Sequence, residues 1–232
     1  MSWTTLLEVL VLGLPGQRPG GLVLTVLAFL GAALGGLALG IVYALACVAA
    51  RAAAWPLMVI NTCLRGLPPM LLVFALAHLP AFSPAEAGAA GLALYSLSHT
   101  GEALRAYLAV YPRPLAEAAR VMGVHPLMDW LVLRLGWSLR QALPVLATHW
   151  VSLLKDTGAL VVVGVGELTT VAKLVAESTA SVGAWATALA AAAALYLLAT
   201  YALLTLLDRL RKGLEPSSAA KATLSLQPAR YR

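Results

Sequence analysis

Residues 117–144 read EAARVMGVHPLMDWLVLRLGWSLRQALP. This polar, turn-broken stretch lies inside a chain otherwise composed to sit in lipid. Pro114, just upstream, suits the opening of a short helical run, because a helix start has no use for the N–H that proline lacks. Gly123 is placed to end that run in a left-handed cap. Pro126 opens a second run with Asp129 in its first turn, where the helix dipole favours a carboxylate. The pattern predicts two short helices meeting at an angle, too polar to cross a bilayer. In the first, Glu117 and Arg120 are spaced to pair on one face. Ala116, Ala118 and Ala119 leave thin flanks that another chain can approach closely.

Around this insert, 61% of the 232 residues are apolar and only 11% are charged, which points to an all-α integral membrane protein. A membrane-spanning helix needs about 20 apolar residues. Residues 1–14 are too short and break at Pro15-Gly16 and Pro19-Gly20, so they are expected to lie along the interface. The first span is Gly21–Ala50, with Gly31-x-x-x-Gly35 and Gly36-x-x-x-Gly40 spacings that allow close helix contact. A second span, about 53–79, is interrupted by Arg65-Gly66-Leu67-Pro68-Pro69, where two backbone donors are missing and a charge intrudes. Broken backbone at membrane depth survives only against protein or a wet cavity, so this kink should face the interior. The third span, about 85–110, carries Glu102 and Arg105 near its end, and the fourth, about 141–165, holds Lys155 and Asp156. A polar connection over 166–182 precedes the fifth span, about 183–207, and a short basic tail follows.

The net charge of +6 would suggest nucleic acid in a soluble domain. Here the basic residues sit in loops and the tail. If the 111–140 loop is inside, the same side receives Arg51, Arg113, Arg120, Arg140, Arg209, Arg211 and Lys212, against Arg18 and Lys173 opposite. That bias sets the N-terminus outside and the C-terminus in the cytoplasm. The first ten residues contain no Lys or Arg, which does not fit a cleavable signal peptide. Cys47 and Cys63 form no disulfide framework, and His78, His99, His125 and His149 lack metal-ligand spacing. No catalytic set of nucleophile, base and orienter can be assembled, and Gly164-Val165-Gly166 lacks the rest of a nucleotide fingerprint.

Several motifs carry a family resemblance. Glu117-Ala118-Ala119, a three-residue gap and Gly123 resemble the E-A-A…G motif of permease subunits of ATP-binding-cassette importers. Lys155-Asp156-Thr157, Gly164-Val165-Gly166-Glu167-Leu168-Thr169, Arg65-Gly66-Leu67-Pro68 and Glu102-x-x-Arg105 are similar to signatures of the polar amino acid (histidine, glutamine, arginine) branch. Two positions depart from it. The family's Leu-Pro after the loop is Leu135-Gly136, so a bend there would come from glycine, and the R-G-T-P threonine is Leu67.

The resemblance implies a type I permease fold of about five transmembrane helices. It divides the chain into an interfacial segment 1–19, a permease domain 20–208 with a coupling loop at about 111–140, and a cytoplasmic tail 209–232. It implies that Glu117, Ala118, Ala119, Arg120 and Gly123 contact an ATPase subunit. Arg65, Glu102, Lys155, Asp156 and Thr157 are the candidates for the substrate path, since charges inside a span are costly and face a pathway or a partner. Adjacent on a helix, Lys155 and Asp156 cannot point the same way. This chain would bind no cofactor itself, the ATP and magnesium belonging to the ATPase. Five spans are too few to enclose a path, so a second copy or a paralogue is implied, with an extracytoplasmic amino-acid-binding protein, in a bacterial or archaeal inner membrane. A self-sufficient transporter would need an internal repeat, and none is convincing. An intramembrane enzyme lacks its catalytic residues.

Overall fold

The computed structural model of the protein describes residues 2–16, 18–178 and 181–214. Helix α1 (Trp3–Leu12) starts at Ser2, whose hydroxyl accepts the Thr5 N–H. A turn ending at Gly20 leads into the long helix α2 (Gly21–Ala50). Gly21 has a φ of +55°, and a Cβ there would run into the Leu10 carbonyl, so only glycine fits the junction. A 3-10 turn (Arg51–Ala54) joins α2 to α3 (Trp55–Gly66), and α4 (Pro69–Ala77) follows. The expected break at Arg65–Pro69 is present, with Leu67 and Pro68 extended between the two helices.

Helix α5 (Pro84–Ala109) begins in a full capping box, with Ser83 and Glu86 exchanging side-chain and backbone hydrogen bonds. Helix α6 (Arg113–Val121) is the first run of the polar insert. The second run is not a separate short helix. Helix α7 (Pro126–Met128) passes through a π-helical turn (Asp129–Arg134) into α8 (Leu135–Asp156) with no interruption. The irregularity expected at Gly136 therefore sits just upstream, in the π turn, and Gly136 itself is ordinary helix. A 3-10 stretch (Thr157–Val163) ends at left-handed Gly164. The connection expected over 166–182 contains a helix, α9 (Leu168–Glu177), with a buried face of Leu168, Val171, Ala172, Val175 and Ala176. Helix α10 (Val182–Leu214) extends past the expected span end, through the start of the tail, where Lys212 pairs with Asp208 at 2.6 Å. The tail from 215 onward lies outside the described residues.

The described residues form no strand. Among the described residues, the three larger apolar clusters hold the bundle. Leu10, Leu168 and Val171 join α1 and α9 to α10, Phe29, Val73, Leu92 and Leu153 fill the centre, and Ala44, Leu104 and Leu146 join α2, α5 and α8. Helices α2 and α5 pack most closely. A Cβ on Gly36 would collide with Ser96, and one on Gly40 would lie 2.6 Å from Thr100 Oγ1. The Gly36-x-x-x-Gly40 spacing is thus the packing seam, whereas Gly31 meets nothing. The Gly21–Gly66 run and α10 (within Val182–Gly213) have mean hydropathies of 2.4 and 2.0 and are long enough to span a membrane. Helices α5 and α8, with 26 and 22 residues, rise about 39 and 33 Å. They are less apolar because their inner faces hold the polar groups Ser96, Ser98, Thr100 and Ser138, all buried.

Candidate functional site

Two regions concentrate the residues singled out in the sequence. The first is α6. Its C-terminus is a complete Schellman motif: Val124 N–H donates to the Ala119 carbonyl and Gly123 N–H to the Arg120 carbonyl, both at 3.0 Å, with Gly123 at φ +70°. Ala116 and Ala119 are buried, so the helix lies against the body of the protein by its smallest side chains. Glu117, Ala118 and Arg120 face outward, as do Val121 and Met122, which are 88% and 72% exposed. Glu117 and Arg120 make no ion pair with each other, so the pairing expected from their spacing is absent. Arg120 instead lines a small cleft with Asp129, Trp130 and Arg134.

Asp129 does more than face a helix dipole. It is buried and takes Arg134 Nε and Nη2 at 2.8 Å each, across the π turn. The Arg134 guanidinium lies 4.3 Å from the centre of the Trp130 ring and 5.2 Å from that of Tyr111. Burial and the nearby Asp129 charge push the Tyr111 phenol up, against the pull of Arg134. Through Tyr111 this bracket ties the chain just before α6 to the π turn that leads into α8.

The second region is a cleft of about 410 Å³ lined by Arg65, His99, Glu102, Tyr107, Val145 and His149, among others. The α3–α4 break supplies Arg65, α5 supplies His99 and Glu102, and α8 supplies Val145 and His149. Glu102 accepts from Arg105 Nε at 3.0 Å, Arg105 Nη2 at 2.6 Å and Tyr43 OH at 3.3 Å. His99 and His149 stack with centroids 4.7 Å apart and planes 6° from parallel. Tyr95 packs 4.6 Å from His99, and His149 Nε2 lies 3.3 Å from Ser96 Oγ. Asn61 ties α3 to α5 by donating to the Ser98 carbonyl at 3.1 Å.

Of the five path candidates, Arg65 and Glu102 share this cleft. Asp156 stands beside it, close enough to Tyr95 and His99 to interact with both. Lys155 faces away, into a groove with Thr169, Tyr196 and Thr200. Thr157 is buried and donates to the Leu154 carbonyl at 2.8 Å. His99 and His149, which lack metal-ligand spacing and lie 50 positions apart in the sequence, come together only in the folded bundle. Glu167, which the sequence marks only as part of the Gly164–Thr169 motif, takes a structural role. That side chain is fully buried, caps α9 by accepting the Thr169 and Thr170 N–H groups, and takes hydrogen bonds from Tyr196 and Thr25. Among the described residues no group of His, Cys, Asp and Glu could hold a metal ion.

The family model described as "Binding-protein-dependent transport system inner membrane component" matches residues 36–218, which include both regions. The chain belongs to this family. It is therefore a membrane-integral permease subunit of an ATP-binding-cassette importer, a transport component rather than an enzyme. No curated protein matches the sequence significantly. Solved structures share the permease's fold. One is described as "Crystal structure of an amino acid ABC transporter with histidines" and has 22% identity and a TM-score of 0.69, covering 84% of this chain and 92% of that one. Another is the MetNI methionine ABC transporter in inward-facing conformations, with 16% identity and a TM-score of 0.71, covering 93% and 100%. The all-helical, type I permease architecture expected from the sequence is thus the observed one.

Proposed function

We propose that this permease subunit carries polar amino acids across a bacterial or archaeal inner membrane, driven by ATPase subunits that dock on Glu117–Gly123. The observation that carries the coupling role is α6 itself. It is a short helix closed by a Schellman cap, with a bare outer face, and its Ala119 and Arg120 border a small cleft with Asp129, Trp130 and Arg134 at the entry to α8. A partner that moves α6 pulls on α8, whose far half carries His149 at the cleft. Closure of the ATPases on ATP then favours one orientation of the path over the other, a shift between two populated states. A second permease subunit completes the path, and an extracytoplasmic binding protein delivers the substrate. The loop lies on the cytoplasmic side, with the N-terminus outside. Support for amino acids as the substrate comes from the branch-like motifs around Lys155 and Glu167 and from the fold shared with an amino acid transporter.

The test is to purify the chain with its ATPase subunit, reconstitute the complex in vesicles, and measure ATP hydrolysis with and without amino acids. The expected result is stimulation by at least one polar amino acid, lost in Glu117→Lys protein that still inserts. Full stimulation in Glu117→Lys removes the coupling role of α6.

A further inference from the structure

We infer that the π turn over Asp129–Arg134 is one of two registers of this helix, latched by the Asp129–Arg134 pair, and that the other register is plain α-helix. In an α-helix, residues five apart point about 140° away from each other and do not meet. The i→i+5 geometry of the π turn brings Arg134 back over Asp129, with Nε and Nη2 each 2.8 Å from Oδ2. Turn and ion pair are therefore formed or lost together. Single π turns inside α-helices recur at functional sites, and this one stands between α6 and the membrane-spanning length of α8.

Helix geometry describes the second register. An α-helical path turns the chain ahead of Arg134 by about 100° more, the angle of one residue. With α8 held still, each residue ahead of the turn takes the place of the one before it. Asp129 moves to the side now held by Met128, which is 56% exposed, and Trp130 moves into the place of Asp129, which is 7% exposed. Each register satisfies what the other leaves unmet. The π register has the ion pair, but both contacts fall on Oδ2, and Oδ1 is buried without a protein partner. Native structures carry few such orphans. The α register gives up the pair, puts the carboxylate in water and buries an indole that is now only half-buried. Arg134 keeps Trp130, over whose ring it already lies, because i and i+4 are neighbours on an α-helix. The step is discrete, and it turns α7, and through the Gly123–His125 link α6, with respect to α8. Its use in transport rests on the docking of an ATPase at α6 proposed above: a partner that turns α6 selects the register.

The test uses the complete complex of permease and ATPase subunits in nanodiscs, the permease lacking Cys47 and Cys63. Spin labels at Leu127→Cys and Val145→Cys, both exposed, lie ahead of the turn and beyond it. Asp129→Asn is expected to move the distance between them by several ångströms, as a swing of this size on a helix about 10–12 Å across produces. Trp130→Gln, which lacks the ring that fills the buried place, should hold the distance of the π register. In a chain with Val132 deleted, plain α-helix keeps the present orientation of α7, and Asp129→Asn should then shift nothing. A distance that Asp129→Asn leaves unmoved in the full chain, or moves equally in the deleted one, overturns the second register. A distance that moves with Asp129→Asn but not on ATP binding upholds the two registers and removes docking at α6 as what selects between them.

Discussion

The Tyr196 hydroxyl donates to the Glu167 carboxylate at 2.9 Å, joining α10 to the N-terminus of α9 inside the bundle. The same carboxylate accepts Thr169 N–H at 2.8 Å, Thr170 N–H at 2.7 Å and Thr170 Oγ1 at 3.1 Å. Thr25 Oγ1, which itself takes the Leu168 N–H at 3.0 Å, reaches it from α2. One buried acid thus binds three helices.

Removal of that acid should be costly. Glu167→Ala orphans several buried donors at once, and a loss of about 3–5 kcal/mol is expected, as for a broken buried charged network. Tyr196→Phe removes one donor and leaves the others in place, and should cost about 1–2 kcal/mol. Thermal unfolding of the detergent-solubilised complex orders the two variants. Equal, small shifts would mean that Glu167 does not hold the helices together.

Gly123 should be replaceable without a clash yet not without cost. A Cβ there meets nothing within 4 Å, but its φ of +70° disfavours any L side chain. Gly123→Ala is expected to cost about 1–2 kcal/mol of cap stability. Amide exchange at Val124 and Gly123 should quicken roughly tenfold, and amino-acid stimulation of ATP hydrolysis should fall. Unchanged exchange at these amides would refute the role of the cap.

Asp129 and Arg134 should be energetically coupled. In a double-mutant cycle of Asp129→Asn and Arg134→Met, read by thermal unfolding, the coupling is expected at about 1–3 kcal/mol. A coupling near zero would show that the Asp129–Arg134 pair across the π turn is not formed in the membrane-embedded protein.

Topology is open to direct labelling. In a background lacking Cys47 and Cys63, the latter exposed on α3, cysteines are introduced at Lys173 and Arg113. Both positions are exposed on the described surface. An impermeant thiol reagent should reach position 173 in intact cells and position 113 only after lysis. Labelling of both from one side would refute the proposed orientation.

Hydropathy made the long helices legible, and proline and glycine made the breaks so. Pro114 and Gly123 bounded α6 almost to the residue, because capping is local chemistry. The failures came where a local pattern had two readings. Lys173 and Glu177 made 166–182 look like a loop, yet Leu168, Val171, Ala172, Val175 and Ala176 recur at helical spacing behind Glu167. Asp129 fitted a dipole argument, but its partner five residues on becomes visible only once a π turn swings Arg134 back over it. The pairing of His99 with His149 depends on how α5 and α8 pack, and no spacing within either helix announces it.

The near-contact of α2 and α5 has a mechanical consequence. With Gly36 against Ser96 and Gly40 against Thr100, neither helix can roll or slide on the other without steric collision. The two form a keel. Any change of shape during a transport cycle is then carried by what is hinged to that keel: the arm broken at Arg65–Pro69, and the α8–α10 segment that turns at Gly164. Pairs of spin labels along α2 and α5 should hold a constant separation through every stage of ATP binding and release, while labels from α2 to α8 report the stroke.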